Sequence, residues 1–211
     1  DFSYGVTLAK MMGRSTLRLA NAEVLPFRFE TFVGHVETYV KEIEELVETT
    51  RAETLKHNRL VESGAYALAM DPKDGLQPPK AKSPVPHISF ASVNNAVVAL
   101  RAAAKAADSA VATAEASDHL NVAIAQLERA MTSDEGLPRR PWFRHQVYAP
   151  GFYTGYGVKT LPGIREAAEE LKWDEMNEQM IRVAAMMNAV TDAMNTIKNA
   201  ASMGPVEETA R

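Results

Sequence analysis

The feature that most limits how this chain can fold is a long apolar stripe near its C-terminal end. Apolar side chains recur there at alternating spacings of four and three residues: Met176, Met180, Val183, Met187, Val190, Met194 and Ile197. This spacing marks one face of an α-helix, and it persists for about three heptads. Gly204 and Pro205 follow, and neither residue extends a helix. The pattern predicts a long helix whose methionines fill the core, since methionine packs irregular gaps between helices.

Helical spacing also appears in five other stretches of the chain. The predicted helices are residues 4–24, 29 to beyond 60, 93–111, 120–131 and 161–171. Ser117 precedes the fourth of these stretches and is a plausible N-cap, because its hydroxyl can accept a hydrogen bond from a free backbone N–H. We therefore predict an all-α fold, an antiparallel bundle of four main helices with additional short helices.

Two stretches interrupt the helical pattern. Residues 71–87 are rich in proline and have no apolar period, so they are predicted to form a mobile loop. Residues 144–163, RHQVYAPGFYTGYGVKTLPG, cannot continue a helix, because proline lacks the N–H and glycine is entropically costly there. The tyrosines of this second loop either pack over the end of the bundle or form a contact surface that lines a pocket or docks on another domain.

Composition excludes several kinds of function. The 23 basic and 27 acidic residues give a net charge of −4 and are scattered along the helices, so no basic stripe indicates nucleic-acid binding. There is no cysteine, and the five histidines stand far apart in sequence without a metal-binding spacing. The chain is therefore expected to contain no catalytic residues, no metal ligands and no cofactor of its own.

The sequence leaves the cellular compartment open. No apolar run approaches the length of a membrane span, and no signal peptide is visible, so the chain as given is expected to be soluble. It begins at Asp1 without a methionine, directly inside an amphipathic pattern, which suggests a piece of a longer protein.

Three segments carry a resemblance to a known family. They are LANAEVLPF at 19–27, GLPRRPWFRHQVYAP at 136–150 and LPGI at 161–164. Their order and spacing between helices make residues 1–203 similar to the C-terminal, transferrin-receptor-like dimerisation domain of the glutamate carboxypeptidase II family, with 204–211 as a tail. The resemblance implies that the protease and apical domains are absent from this chain, and that the zinc ligands and catalytic glutamate lie in that protease domain.

The resemblance also implies roles for the second loop. In the family, this segment closes over the pocket for the substrate's C-terminal residue, and Tyr156 matches a tyrosine that hydrogen-bonds the terminal carboxylate. Tyr153 lies in the same loop and is expected to contribute to substrate binding. Glutamate-selective members have a lysine where this chain has Gly155, so a preference for glutamate is in doubt. Lys159 could compensate only if the loop folded differently.

The expected function is therefore a noncatalytic domain that pairs two subunits and completes the substrate pocket of a zinc-dependent carboxypeptidase-like metallopeptidase. Its expected partners are a second copy, its own protease domain and the C-terminus of a peptide substrate. The family often carries a membrane anchor, which would place this domain in the lumen or outside the cell. Two alternatives stay open: a noncatalytic receptor or sorting protein of the same superfamily, and a free-standing helical adaptor.

Self-association is also predicted from apolar surface. The stripe from Met176 to Ile197 and the apolar face of residues 29–47 offer more apolar helix surface than one small bundle needs. We expect some of this surface to pair two copies of the chain.

Overall fold

The computed structural model describes residues 1–71, 73 and 75–203. Its helices are α1 Ser3–Ala20, α2 Phe29–Glu62, α3 Ala65–Ala69, α4 Ala91–Val111, α5 Asp118–Gln126, α6 Pro162–Glu169 and α7 Trp173–Met203. A 3₁₀ turn, Leu127–Met131, follows α5, and two short strands, β1 Tyr148–Pro150 and β2 Val158–Thr160, pair antiparallel. The predicted all-α class is confirmed, with this small two-stranded sheet as an addition that the sequence did not indicate. Gly204, Pro205 and the predicted tail at 204–211 lie outside the described residues.

The described residues group into two compact units. One unit contains residues 1–35, 96–132 and 185–203, and the other contains residues 36–95 and 133–184. The helices α2, α4 and α7 each contribute residues to both units. The second unit holds the Pro-rich loop, the two strands and α6, and it is therefore the unit that contains the predicted site residues.

Burial confirms that the methionine stripe of α7 is core. All seven residues of the stripe are buried, with exposures between 0% and 3%. The apolar face of α2 is buried in the same way, at Phe29, Val33, Val36, Val40, Ile43 and Val47. The self-association argument from these two faces is therefore wrong, because the chain itself covers both of them.

Exposed apolar surface lies on α1 instead. None of the 18 residues of α1 is buried, and its exposed side chains include Tyr4, Leu8, Met11 and Met12. These four residues share one face, because their spacings of four, three and one place them within about a third of the helix circumference. Periodicity predicted this helix, but it could not show that the described chain leaves the apolar face uncovered.

Polar side chains from α4 and α5 hold the segment that leads into α2. The two carboxylate oxygens of Asp108 accept hydrogen bonds from the backbone N–H of Phe29 at 3.0 Å and of Glu30 at 2.8 Å. Asn121 accepts from the Leu25 N–H and donates to the Glu23 carbonyl. A helix leaves its first N–H groups without intrahelical partners, so Asp108 caps α2 from another helix. The predicted cap of α5 is confirmed, since the Ser117 hydroxyl accepts from the Leu120 N–H at 3.2 Å.

The Pro-rich loop runs beside α2 without regular structure in most of its described residues. Asn58 on α2 makes two hydrogen bonds of 2.8 Å to the backbone of Lys82, one as donor and one as acceptor. His57 Nε2 donates to the Lys80 carbonyl, and Arg51 donates to the Pro86 carbonyl. These contacts tie the loop to α2 at three points, and its mobility in solution stays a prediction.

Within the described part of the chain, none of the helices combines the length and the apolar character that crossing a membrane requires.

Candidate functional site

A tight turn before β1 forms the base of the site. The Leu137 N–H donates to the Phe143 carbonyl and the Arg140 N–H donates to the Leu137 carbonyl, which folds residues 136–143 back on themselves. Gly136 has a φ of +66°, and a Cβ at this position would lie 2.2 Å from the Pro141 carbonyl oxygen. Only glycine fits there, because any side chain would meet backbone atoms and strain the left-handed conformation.

The turn directs Arg140 into the interior, where it meets Glu166 on α6. Arg140 Nη2 donates to Glu166 Oε2 at 2.6 Å, and only 3% of the Arg140 side chain and 9% of the Glu166 side chain are exposed. Arg140 Nη1 donates to the Pro150 carbonyl at 2.6 Å. The other carboxylate oxygen of Glu166 accepts from the Phe152 N–H at 2.8 Å. One buried ion pair thus connects the turn, α6 and the start of the loop.

The aromatic loop is the tip of a β-hairpin. In the register of β1 and β2, Tyr148 lies opposite Thr160 and Pro150 lies opposite Val158, which leaves residues 151–157 as the connection. The Gly151 N–H donates to the Gly157 carbonyl at 2.9 Å, and the Thr154 hydroxyl donates to the same carbonyl at 3.0 Å. These two hydrogen bonds close the neck of the tip, so the residues between them project together.

The three predicted site residues all lie on this tip. Tyr156 is fully exposed, Tyr153 is 78% exposed, and Gly155 between them has a φ of +59°. The ring of Phe152 packs edge to face against the ring of Tyr153, with centroids 4.8 Å apart. The tip therefore presents aromatic rings and phenol groups to solvent rather than packing them over a helix end.

Cationic side chains around the loop are engaged by carboxylates. Lys159 Nζ lies 2.6 Å and 2.9 Å from the two carboxylate oxygens of Glu169. The charge of Lys159 is therefore held at the side of the hairpin by Glu169. Arg165 likewise donates to Glu42 at 2.6 Å.

Arg139 lies close to an aromatic ring of the tip. Its guanidinium carbon lies 5.5 Å from the centre of the Phe152 ring, a distance at which a cation and an aromatic face attract. The hydrogen bond from Arg139 to Glu175, at 2.7 Å, raises the pKa of the Arg139 guanidinium above its ordinary value. Arg139 thus stays charged, but it is already paired beneath the tip.

Comparison with known proteins assigns the chain to a family. Residues 88–195, about half of the chain, match the family described as the transferrin receptor-like dimerisation domain. The chain belongs to this family. The match includes the turn, the hairpin and α6, so the aromatic loop lies within the dimerisation domain itself.

Two relatives of this chain are both named as probable glutamate carboxypeptidases. A probable glutamate carboxypeptidase of Arabidopsis thaliana is 28% identical over 190 residues, which cover 87% of this chain and 23% of the relative. A probable glutamate carboxypeptidase of Arthroderma benhamiae is 31% identical over 96 residues, which cover 42% of this chain and 13% of the relative. The chain thus spans less than a quarter of the length of these relatives.

Metal-binding side chains do not cluster in the described part of this dimerisation domain. No group of three or more histidine, aspartate or glutamate side chains among residues 1–71, 73 and 75–203 is arranged to hold a metal ion. The five histidines are far apart in sequence, and within the described residues the fold does not bring them into a metal-binding group.

Sequence reasoning missed the buried ion pair beneath the loop. Arg140 appeared in the segment that carried the family resemblance, and Glu166 was one of several acidic residues on a predicted short helix. The available signal was the surroundings of Glu166, because Ile164, Ala167 and Ala168 leave little polar surface for a carboxylate on so short a helix. A charge in such a position indicates a buried partner, but not which one.

Proposed function

We propose that this dimerisation domain is a noncatalytic part of a glutamate carboxypeptidase-like zinc exopeptidase, in which it pairs subunits and completes the substrate pocket. The observation that supports the pocket role is the hairpin tip, which exposes Tyr153 and Tyr156 on a base held by a buried ion pair. The names of the two relatives support a peptidase as the full-length protein. Zinc and its ligands would belong to a protease domain outside this chain.

In this proposal, Tyr156 binds the terminal carboxylate of a peptide substrate. A phenol is suited to this task because it is a neutral donor on a rigid, largely apolar ring. Its complete exposure supports the assignment, since the hydroxyl can meet a ligand without breaking a contact in the described structure. Tyr153 and Phe152 would supply the neighbouring apolar wall.

Gly155 gives the proposed pocket its expected selectivity. The cations beside the tip are paired with carboxylates, and Gly155 has no side chain, so the loop offers no free positive charge to a glutamate side chain. A buried or half-buried carboxylate without a charged partner is unfavourable. We expect this loop to favour substrates with an uncharged C-terminal side chain over those ending in glutamate.

Replacing Gly155 with lysine or with methionine tests this selectivity. No neighbouring atom in the described structure lies within 4 Å of a Cβ at position 155, so both side chains fit, but the φ of +59° strains both variants by about 1–2 kcal/mol. Methionine has a similar length and no charge, so it is the matched control for that strain. We expect the lysine variant of the full-length protein to prefer glutamate-ending over leucine-ending peptides about tenfold more than the methionine variant does, measured as kcat/KM. Equal preferences in the two variants would contradict the placement of position 155 beside the substrate side chain.

The pairing role is tested on the chain alone. We expect light scattering at high micromolar concentration to give a mass near twice 23.1 kDa, because the family is named for dimerisation and α1 leaves an apolar face exposed. A mass of 23.1 kDa at every concentration would place the interface outside this chain and remove the pairing role from it.

A further inference from the structure

We propose that the buried Arg140–Glu166 ion pair is a positioning device that sets the conformation of the aromatic hairpin tip. The two side chains are almost entirely buried, with exposures of 3% and 9%, and each makes a second hydrogen bond to the backbone at the base of the loop. Arg140 holds the Pro150 carbonyl, and Glu166 holds the Phe152 N–H. The pair therefore binds the chain on both sides of Gly151, the first residue after β1.

The hydrogen bonds of Arg140 and Glu166 leave these two side chains little conformational freedom. Both carboxylate oxygens of Glu166 are used, one by Arg140 at 2.6 Å and the other by the Phe152 N–H at 2.8 Å. Both terminal nitrogens of Arg140 are used as well, whereas its buried Nε has no hydrogen-bond partner in the described structure. The guanidinium carbon also lies near two aromatic rings, 5.7 Å from the centre of Phe143 and 5.8 Å from that of Phe152.

Stability alone does not account for such a pair. Removing two charges from water is costly, and apolar side chains of similar volume often stabilise an interior equally well or better. Apolar side chains, however, cannot bind the Pro150 carbonyl and the Phe152 N–H. What the ion pair adds at this place is therefore the directional hydrogen bonding of the loop.

Hydrogen bonds at the neck of the tip connect this ion pair to the segment that carries Tyr156. Phe152 is the second residue of the connection 151–157, and the hydrogen bonds of Gly151 and Thr154 to the Gly157 carbonyl close the neck on the other side of Tyr156. The backbone of Tyr156 thus lies between the Phe152 amide, which Glu166 binds, and the hydrogen-bonded Gly157 carbonyl, although its side chain is fully exposed. The effect of this order on substrate binding rests on the proposed function, whereas the order itself is a property of the chain alone.

Amide hydrogen exchange of the 211-residue chain tests the proposal, with each residue followed separately and no substrate present. In the wild type, the Phe152 amide should exchange at least about tenfold more slowly than an unstructured amide, because it is hydrogen-bonded to a buried carboxylate. An unprotected Phe152 amide in the folded wild type would overturn the proposal without any variant.

The decisive variant is the double substitution Arg140→Met with Glu166→Leu, which removes both charges together and leaves none of them buried alone. We expect the Phe152 amide to exchange about 10- to 150-fold faster, while buried amides of α7 such as that of Met187 keep their wild-type rates. Glu166→Gln alone leaves Arg140 buried without a charged partner, so we expect that variant to lower the stability of the whole chain. Glu135→Gln makes the same chemical change in the exposed ion pair of Glu135 with Arg182 and is the matched control.

The results separate this proposal from the proposed function. If the double variant folds and its Phe152 amide stays within about twofold of the wild-type rate, the ion pair does not position the tip. If the amide is freed but kcat/KM of the full-length protein is unchanged, the positioning device stands and the pocket role of the loop fails. If the double variant does not fold, the two single variants decide: faster exchange of the Phe152 amide relative to the Met187 amide in Glu166→Gln but not in Glu135→Gln supports the proposal, and equal relative rates in the two variants overturn it.

Discussion

Replacing Tyr156 with phenylalanine is expected to lower kcat/KM of the full-length protein by about 10- to 150-fold. The change removes one hydroxyl, and a hydrogen bond to a charged group is worth about 1.5–3 kcal/mol. Folding should be unaffected, because Tyr156 is fully exposed and its hydroxyl stabilises no described contact. The loss should be similar for peptides ending in leucine, alanine or glutamate, since all of them carry the terminal carboxylate.

The matched control for this variant is Tyr4→Phe. Tyr4 is also exposed, at 90%, but it lies on α1 and outside the aromatic loop. We expect its kcat/KM to equal that of the wild type. Wild-type kinetics in Tyr156→Phe would remove the loop from the substrate pocket and leave it either as packing or as a surface for a protein partner.

Replacing Met187 with alanine is expected to lower the free energy of unfolding by about 2–5 kcal/mol. Met187 is completely buried in the middle of the α7 stripe, so the substitution removes buried apolar atoms and leaves a cavity that the surrounding helices only partly fill. Denaturant unfolding of the 211-residue chain measures the loss, as a lower midpoint with an unchanged slope.

Met203→Ala is the matched control on the same helix. Met203 is the last residue of α7 and is 69% exposed, so its truncation should change the free energy of unfolding by less than about 0.5 kcal/mol. The variant Met187→Ala should also keep the mass that light scattering gives for the wild type. A change in mass with unchanged unfolding would mean that the stripe pairs two chains rather than filling the core.

The helices were predictable because the information that specifies them is local. The four-three spacing of the α7 stripe and of the α2 face predicts one buried side on each helix. The structure buries the α7 stripe and the α2 face, in agreement with this prediction. Ser117 was recognisable as an N-cap for the same reason, since its partner, the Leu120 N–H, lies three residues away. Glycines and prolines also marked a break in the helical pattern at 144–163, and the structure has no α-helix from 144 to 161, whereas Pro162 and Gly163 already belong to α6.

The candidate site was predictable only in part. The resemblance drew attention to Tyr153, Gly155 and Tyr156, and the structure puts all three on one exposed tip. Periodicity could not indicate the hairpin that carries them, because each strand has only three residues and no apolar alternation to show. It also could not show that Lys159 is held by Glu169, since that contact depends on how the hairpin lies against α6.

Local spacing in the sequence determined the helices and their buried faces, because a helix repeats every 3.6 residues and so puts side chains three and four positions apart on the same face. Glycines and prolines, which interrupt that spacing, determined the position of the aromatic loop. The tertiary structure alone decided which charged groups meet. Arg140 and Glu166 are 26 residues apart in sequence, and Asp108 caps a helix that begins 79 residues before it. An ion pair or a distant cap has no period along the chain, so such partners emerge only when the folded backbone brings them within hydrogen-bond distance and burial excludes the water that would otherwise bind them.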